Sequence, residues 1–427
     1  MSTRGGSSVE QVRSSIGTLF QRRSSSSRRE STYSRRERIP DKPKNFTFSV
    51  WSILKNCVGK DLSQIALPVN FSEPLSTLQR LTEDFEYSAL LDKAALTSCP
   101  YEQLAYLASF IISGYASSVR TTKPFNPLLG ETYEFDRRED LGWRVISEKV
   151  SHRPPHVAQY CEGSKWTMWQ EYNTESKFTG KDLMIEPQGE ANITFKGGNS
   201  YTWNKVSTVV HNFLFGSLWI EQQGEIKVIG KHNTEGITCT IKFIPYSWRS
   251  RDDLRKFEGK VLDANGVTKW KLGGTWDKQV EITRAFTEGN AKDLPESQVV
   301  WKCFSPPAGS ENFYGFSTFA CQLNEPETGI APTDSRLRPD QRLMENGLWN
   351  EANQEKIRLE EKQRQVMRMR VLNEQMAENE GHSVQPYRPI WFNVIRKENG
   401  RVEHIYKGNY WKCKEKQNWS VCPDIFS

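Results

Sequence analysis

Two short stretches of the chain combine cationic and amide side chains with proline. The first, KPFNPLLGETYE, covers residues 123–134, and the second, SEKVSHRPP, covers residues 147–155. Proline restricts its own backbone and that of the residue before it, so both segments should hold their side chains in a fixed relation. The donors that they offer are Lys123, Asn126, His152 and Arg153. Cationic and amide donors without a paired acid or base are typical of a polyanion receptor, and phosphate is the expected guest.

An enzyme is a competing interpretation, in which His152 acts as a phosphoryl nucleophile beside Arg153. A phosphoinositide phosphatase would also need an acid to protonate the leaving group. The sequence places no such acid near these residues, and no glycine-rich or metal motif accompanies them. We therefore expect a binding protein rather than an enzyme, with no catalytic residue.

The two stretches resemble the signature of the oxysterol-binding protein family, whose members carry KPFNPLLGETYE followed by EQVSHHPP. The first motif matches at all twelve positions. In the second, Lys149 stands in place of Gln, and Arg153 stands in place of the second His. The resemblance covers about residues 46–427. It implies a lipid-binding domain that takes a sterol or another lipid and a phosphatidylinositol phosphate, either the 4-phosphate or a bisphosphate.

Composition sets the outer limits of the fold. The 427 residues are 36% hydrophobic and 11% aromatic, enough for one large core or two smaller ones. No apolar run reaches the length of a membrane span, and the N-terminus lacks a signal-peptide core. Eight cysteines lie singly, so we expect reduced thiols, no metal and no cofactor. These features predict a cytoplasmic protein, and the resemblance implies a short family member, without the additional modules of longer relatives, that associates peripherally with membranes.

The first 45 residues differ from the rest in charge. They hold nine Arg and two Lys against four acids, so their net charge is +7. Because the whole chain has a net charge of +6, the remaining residues sum to about −1. This Arg/Ser-rich segment has little to bury, which predicts a disordered basic tail. Such a tail could attract anionic lipid, bind RNA or only aid solubility, and the sequence does not decide among these. For the folded part we expect no nucleic-acid partner.

Residues 46–70 are apolar at helical spacing. The stripe consists of Trp51, Leu54, Val58, Leu62 and Ile65, and Leu67 follows it. A core helix is the usual explanation of such a pattern. The resemblance implies instead a lid over a lipid tunnel, because family members place a lid at this point. The next segment, residues 71–122, has long periodic runs that predict two or three helices.

Past residue 123 the period changes from helix to strand. The runs WRVISEKV, ANITF, SYTWNKV, SLWIEQ, EIKVIG, ITCTIKFI, KFEGKVL and VTKWKL are β-branched or aromatic and are separated by turn residues. So many strands favour a closed antiparallel sheet over residues 123–286. Together with the family resemblance, which implies the lid and the tunnel, this pattern predicts an α+β fold, in which a large, near-closed β-barrel with an N-terminal lid and helices and a C-terminal helical subdomain encloses a lipid tunnel.

Residues 297–427 are assigned to that C-terminal subdomain. Its helix from about 349 to 379 has no Gly or Pro and is dominated by charged residues, which by itself indicates a solvated helix. The resemblance implies that Lys356, Glu360 and Arg364 bind a phosphoinositide headgroup from this helix. Residues four apart share a helix face, so we expect Glu360 to pair with both cations.

The combined prediction is a lipid transfer protein. A sterol or other lipid and a phosphatidylinositol phosphate would compete for one site and be exchanged between membranes. A lipid-dependent sensor or scaffold without net transport is the alternative. It would use the same residues, so only measured transfer separates the two.

Overall fold

The computed structural model describes residues 35–43, 68–179, 181–212, 218–246, 254–285, 296–382, 387–398 and 400–427. The unit Arg36–Ser427 is compact. The helices in the described residues are α1 (Thr77–Thr82), α2 (Ala89–Leu96), α3 (Pro100–Ser113), α4 (Thr318–Leu323), α5 (Pro339–Glu345), α6 (Trp349–Asn379) and α7 (Tyr410–Lys416). The strands are β1 (Ser72–Ser76), β2 (Lys123–Phe125), β3 (Thr132–Arg137), β4 (Trp143–His152), β5 (Pro155–Gly163), β6 (Trp166–Phe178), β7 (Leu183–Gln188), β8 (Ala191–Phe195), β9 (Asn199–Trp203), β10 (Ser207–His211), β11 (Trp219–His232), β12 (Thr238–Phe243), β13 (Lys256–Leu262), β14 (Thr268–Thr275), β15 (Gln279–Arg284), β16 (Gln298–Lys302), β17 (Phe392–Arg396) and β18 (Val402–Tyr406).

Fourteen strands, β3 to β16, form one antiparallel sheet. Strands β6 and β11 are long, and each changes partner along its length. β6 pairs first with β8 and then with β7, while β11 pairs first with β10 and then with β9. Because β7 pairs with β10 and β8 pairs with β9, two strand pairs bridge β6 and β11 and close part of the sheet into a ring. The predicted α+β fold with a large, near-closed antiparallel barrel is confirmed.

Strand β11 differs from the sequence prediction. The sequence predicts two strands, SLWIEQ and EIKVIG, but they form one strand across Gly224, whose φ is +121°. Glycine tolerates this backbone conformation, which other residues rarely adopt. Gly224 stands where the pairing with β10 ends and the pairing with β12 begins. An internal glycine that resembled a turn in the sequence therefore redirects a continuous strand.

Helix α3 forms the centre of the core. It packs against β12, β13, β14, β15 and β16 and is buried from Gln103 to Ser113. The sequence PYEQLAYLASFIIS is apolar on nearly every side, and such a helix is stable only when it is surrounded. Pro100 stands in its first turn, where the missing N–H costs nothing. The sheet therefore curves around α3, and this packing buries the helix.

Residues 36–43, which the sequence assigns to the disordered tail, belong to the folded unit. Arg36 donates to both carboxylate oxygens of Glu345, at 2.7 and 3.0 Å, and Ile39 is only 3% exposed. The Lys42 N–H donates to the carbonyl of Asn312 at 2.9 Å. These residues belong to the folded unit, because a single buried aliphatic side chain and a bidentate ion pair outweigh their polar composition. The other tail residues, 1–34, 44 and 45, lie outside the described residues.

The predicted lid lies outside the described residues, and the predicted end of the barrel differs from the observed one. The lid residues Trp51, Leu54, Val58, Leu62, Ile65 and Leu67 all lie outside the described residues. The barrel continues past the predicted end at residue 286, since β16 pairs with β15. Among the helices in the described ranges, none is long and apolar enough to cross a membrane.

Buried ion pairs join the C-terminal subdomain to the barrel. Arg336 and Lys414 both contact Glu134 of β3, at 2.9 and 2.6 Å. On β4, Glu148 accepts hydrogen bonds from the backbone N–H groups of Ile390 and Trp391, at 2.7 and 2.8 Å. Burial raises the pKa of Glu148 to about 7, although these N–H groups oppose the shift. The subdomain is thus held by interior polar contacts that fix its position on the barrel.

Candidate functional site

A cavity of about 370 Å³ lies inside the barrel. Its wall is formed by helix residues from α1 and α3 and by strand residues from β6, β7, β9, β10 and β11. The apolar residues of the wall include Leu81, Phe110, Ile111, Met168, Leu183, Ile185, Trp203, Val206, Val210 and Ile220. A cavity of this size and lining suits an apolar small molecule.

One side of the cavity is polar, and the first motif lies there. Lys123 and Asn126 both line the cavity; Lys123 is half-buried and Asn126 is exposed. Lys123 is positioned by β2, which pairs in parallel with β1. The neighbouring cation Arg120 is already neutralised, since it contacts Glu83 at 2.7 Å and Glu73 at 3.2 Å.

A buried ion pair supports the motif loop from behind. Arg338 donates to the carbonyl of Asn126 at 2.7 Å and to the carboxylate of Glu131 at 3.0 Å. Burial raises the pKa of Glu131, and Arg338 opposes this shift. Burial also disfavours the charged guanidinium, but Asp340 and Glu131 outweigh it and raise the pKa of Arg338. The contacts of Arg338 with Asn126 and Glu131 therefore fix the backbone that presents Asn126.

The second motif ends β4 and meets the first through backbone bonds. The N–H of Lys149 donates to the carbonyl of Glu131 at 2.9 Å, and the N–H of Gly130 donates to the carbonyl of Lys149 at 3.0 Å. His152 is half-buried and Arg153 is exposed. Burial lowers the pKa of His152, and the charges of Lys149 and Arg153 lower it further. His152 is thus mostly neutral at pH 7 when no anion is bound.

Helix α6 reaches this region through Gln363, whose amide donates to Nδ1 of His152 at 3.0 Å. Lys356 pairs with Glu360 at 2.5 Å, as expected. The prediction that Glu360 also pairs with Arg364 is wrong, because Arg364 contacts Glu361 at 2.8 Å instead. Residues three apart on a helix are neighbours as much as residues four apart, and both geometries were available to Arg364.

The family model described as oxysterol-binding protein matches residues 49–415. The chain belongs to the oxysterol-binding protein family. Oxysterol-binding protein 2 of Mus musculus is 46% identical over 411 residues, which cover 92% of this chain and 44% of the mouse protein. The chain therefore spans less than half the length of that relative.

Solved structures of the oxysterol-binding protein family share the fold. The Osh1 ORD domain in complex with ergosterol superposes with a TM-score of 0.81 at 32% identity, covering 98% of this chain and all of that one. The Osh3 ORD in complex with PI(4)P from Saccharomyces cerevisiae superposes with a TM-score of 0.74 at 30% identity, covering 92% of this chain and 99% of that one. Both similarities extend over nearly the whole of this family member.

Sequence reasoning missed the residues that position this family motif. Arg338 and Glu131 fix the loop, and Gln363 contacts His152, yet none was singled out from the sequence. Glu131 is part of the matched motif KPFNPLLGETYE, so the motif itself could have indicated that this residue matters. Arg338 lies 212 residues from Asn126, and without the tertiary structure nothing connects the two.

A separate cluster joins the barrel to the C-terminal hairpin formed by β17 and β18. Glu171 of β6 lies 2.9 Å from Nε2 of His156 and 3.2 Å from Nδ1 of His404, and the three ligand-type atoms lie within 4.8 Å of one another. Burial alone would raise the pKa of Glu171, but hydrogen bonds from His156 and His404 outweigh it and lower the pKa to about 2. The cluster thus fastens the hairpin to the outside of the barrel.

This cluster predicts an acid-sensitive attachment. The pKa of Glu171 is depressed in the folded state relative to about 4.3 in the unfolded chain, so its stabilisation is present above that value and is lost as the pH falls toward 2. We expect Glu171→Gln to lower the free energy of unfolding by about 2 kcal/mol at pH 6, and by progressively less below pH 4. Urea unfolding across this range measures the difference. Glu186→Gln, at an exposed position on β7, is the control, and an equal loss in both variants would contradict the prediction.

Proposed function

We propose that this chain binds a sterol or another lipid in the barrel cavity and, in competition, a phosphatidylinositol phosphate. The observation that carries the proposal is the apolar cavity with Lys123 and Asn126 on its polar side. The proposed headgroup ligands are Lys123, Asn126, His152, Arg153, Lys356 and Arg364, with Glu360 holding Lys356 in place. Charge-assisted contacts of this kind suit phosphate oxygens.

Exchange follows from competition for one cavity. A site that cannot hold both lipids must release one to take up the other, and a phosphoinositide gradient between two membranes then drives the second lipid. The Osh1 structure contains ergosterol and the Osh3 structure contains PI(4)P, which supports the assignment of both lipid classes to this site. We further propose that the protein works in the cytoplasm in peripheral contact with anionic membranes, with residues 46–70 as the lid.

Transport between liposomes tests the proposal. Donor liposomes carry a fluorescent sterol, and acceptor liposomes carry phosphatidylinositol 4-phosphate. We expect sterol to move to the acceptor while the phosphoinositide moves to the donor, and we expect sterol transfer to slow when the phosphoinositide is omitted. Binding of both lipids without net transfer would favour the sensor or scaffold. Sustained release of inorganic phosphate would instead favour the phosphatase.

A further inference from the structure

Lys149 is a buried lysine that has no counter-ion among the residues that the structure describes. The residue is only 7% exposed to solvent. In the described part of the chain, its ammonium group takes part in no hydrogen bond and no ion pair. A buried charge is costly unless it is paired and hydrogen-bonded. Ionisable side chains in such surroundings are concentrated at functional sites.

The carboxylate of Glu131, whose charge raises the pKa of Lys149, already has other partners. Glu131 is fully buried, and its oxygens accept from Ser335 Oγ at 2.6 Å, from the N–H of Leu128 at 2.9 Å and from Arg338 at 3.0 Å. These contacts occupy both oxygens of the carboxylate. In the described residues, Glu131 acts on Lys149 through its charge and forms no ion pair with it.

Lys149 is not among the residues that line the cavity, but it lies beside the two motifs: its backbone bonds to Gly130 and Glu131, and its charge lowers the pKa of His152. Residues of a strand alternate between the two faces of the sheet, so Lys149 shares a face with Val145, which belongs to the barrel core. The opposite face carries Ile146 and Val150, which pack with the C-terminal subdomain. Through its backbone, Lys149 also joins the two motifs.

We propose that Lys149 binds a phosphate group of an anionic headgroup together with His152, supplying a full positive charge where the signature of the family has an uncharged glutamine. The inference rests on the proposed function, because it assigns one more ligand to the same anion. The added charge favours a more highly phosphorylated headgroup. Lys149 is thus a residue that determines headgroup specificity, and it distinguishes this chain from members with the common motif.

Titration gives this role a distinctive signature. Burial lowers the pKa of Lys149 to about 8, although Glu131 opposes the shift. A bound phosphate would raise this pKa, so the affinity should decline as the pH rises from 7 to 9 and the unbound lysine loses its proton. Lys149 is electrostatically coupled to Glu131, whose partner is Arg338, and to His152, on which Arg153 also acts. Arginine stays protonated throughout this range, and the lowered pKa of His152 keeps it neutral.

The experiment compares the full chain with K149Q, K149R and the control K177Q, which changes an exposed lysine on β6. Extraction from liposomes containing phosphatidylinositol 4-phosphate or the 4,5-bisphosphate is measured from pH 7 to 9, with sterol uptake in parallel. We expect K149Q to extract phosphoinositide about tenfold less well at pH 7, to prefer the bisphosphate less and to show a flat pH profile. K149R should bind tightly with a flat profile, and the wild type should weaken across the range.

Each alternative outcome is distinguishable. Equal extraction by the wild type and K149Q would overturn the inference and leave the proposed function standing. A matching loss of sterol uptake in K149Q would show that Lys149 is structural, which also overturns it. If the wild type extracts no phosphoinositide, the proposed function fails and the inference fails with it.

A soluble probe separates a lipid headgroup from a free phosphate ester. Inositol 1,4-bisphosphate in solution is titrated against wild type and K149Q. Weak binding of the soluble ester, with the Lys149 dependence seen for the lipid, supports a lipid headgroup as the ligand. Tight binding of the soluble ester, without competition by liposomes, would overturn the assignment to a lipid.

Discussion

Replacement of Lys123 by alanine is expected to reduce phosphatidylinositol 4-phosphate extraction by about 10- to 100-fold. A hydrogen bond to a charged group contributes about 1.5–3 kcal/mol, and each 1.4 kcal/mol is a factor of ten in affinity. Lys123 is half-buried at the polar side of the cavity, where water screens its charge less than at the surface. Sterol uptake should stay close to wild type, because the apolar wall is unchanged. Extraction of each lipid from liposomes measures the two effects separately.

His152→Ala should have a smaller effect than Lys123→Ala at pH 7. The pKa of His152 is lowered, mainly by burial, so the ring is mostly neutral and gives only an uncharged hydrogen bond. Lys302→Ala, at an exposed position on β16, is the matched control and should extract both lipids normally. If Lys123→Ala extracts phosphoinositide as well as this control does, the anion site lies elsewhere.

The second large effect is expected at Arg338. Its guanidinium is almost fully buried and contacts Asp340 at 2.7 Å and Glu131 at 3.0 Å. Arg338→Met leaves both carboxylates inside the protein without a cation. Removal of one partner of a buried ion pair costs about 3–5 kcal/mol, and we expect this loss in the free energy of unfolding, measured in urea at pH 7. The loop that carries Asn126 should also lose its anchor, so phosphoinositide extraction should fall in the fraction that remains folded.

An exposed arginine provides the comparison for this variant. Arg138 pairs with Asp136 at 2.7 Å, but its side chain is 55% exposed. Surface pairs of this kind contribute about 0–1 kcal/mol. Arg138→Met should therefore be nearly neutral. Glu131→Gln should lie between the two arginine variants, because Arg338 keeps Asp340 as a partner. A ranking in which Arg338→Met is no worse than Arg138→Met would contradict the buried-pair argument.

The polar half of the site was only partly predictable from the sequence. Lys123, Asn126, His152 and Arg153 lie in motifs short enough to be recognised as strings of residues. The contact of Arg364 with Glu361 was not predictable, because spacings of three and four are both neighbours on a helix. The paired state of Arg120 also depends on Glu73 and Glu83, which lie 47 and 37 residues away.

The sequence by itself determined the secondary structure of the barrel and the central helix. Alternating apolar residues made the strands, and a helix apolar on nearly every side had to be enclosed. Only the tertiary structure decided which strands bridge β6 and β11, that residues 36–43 belong to the folded unit, and that Lys149 is buried with no counter-ion in the described part of the chain. The physical reason is that local periodicity depends on neighbours in the chain. Burial and ion pairing depend on residues such as Glu345, 309 positions from Arg36, that only folding brings into contact.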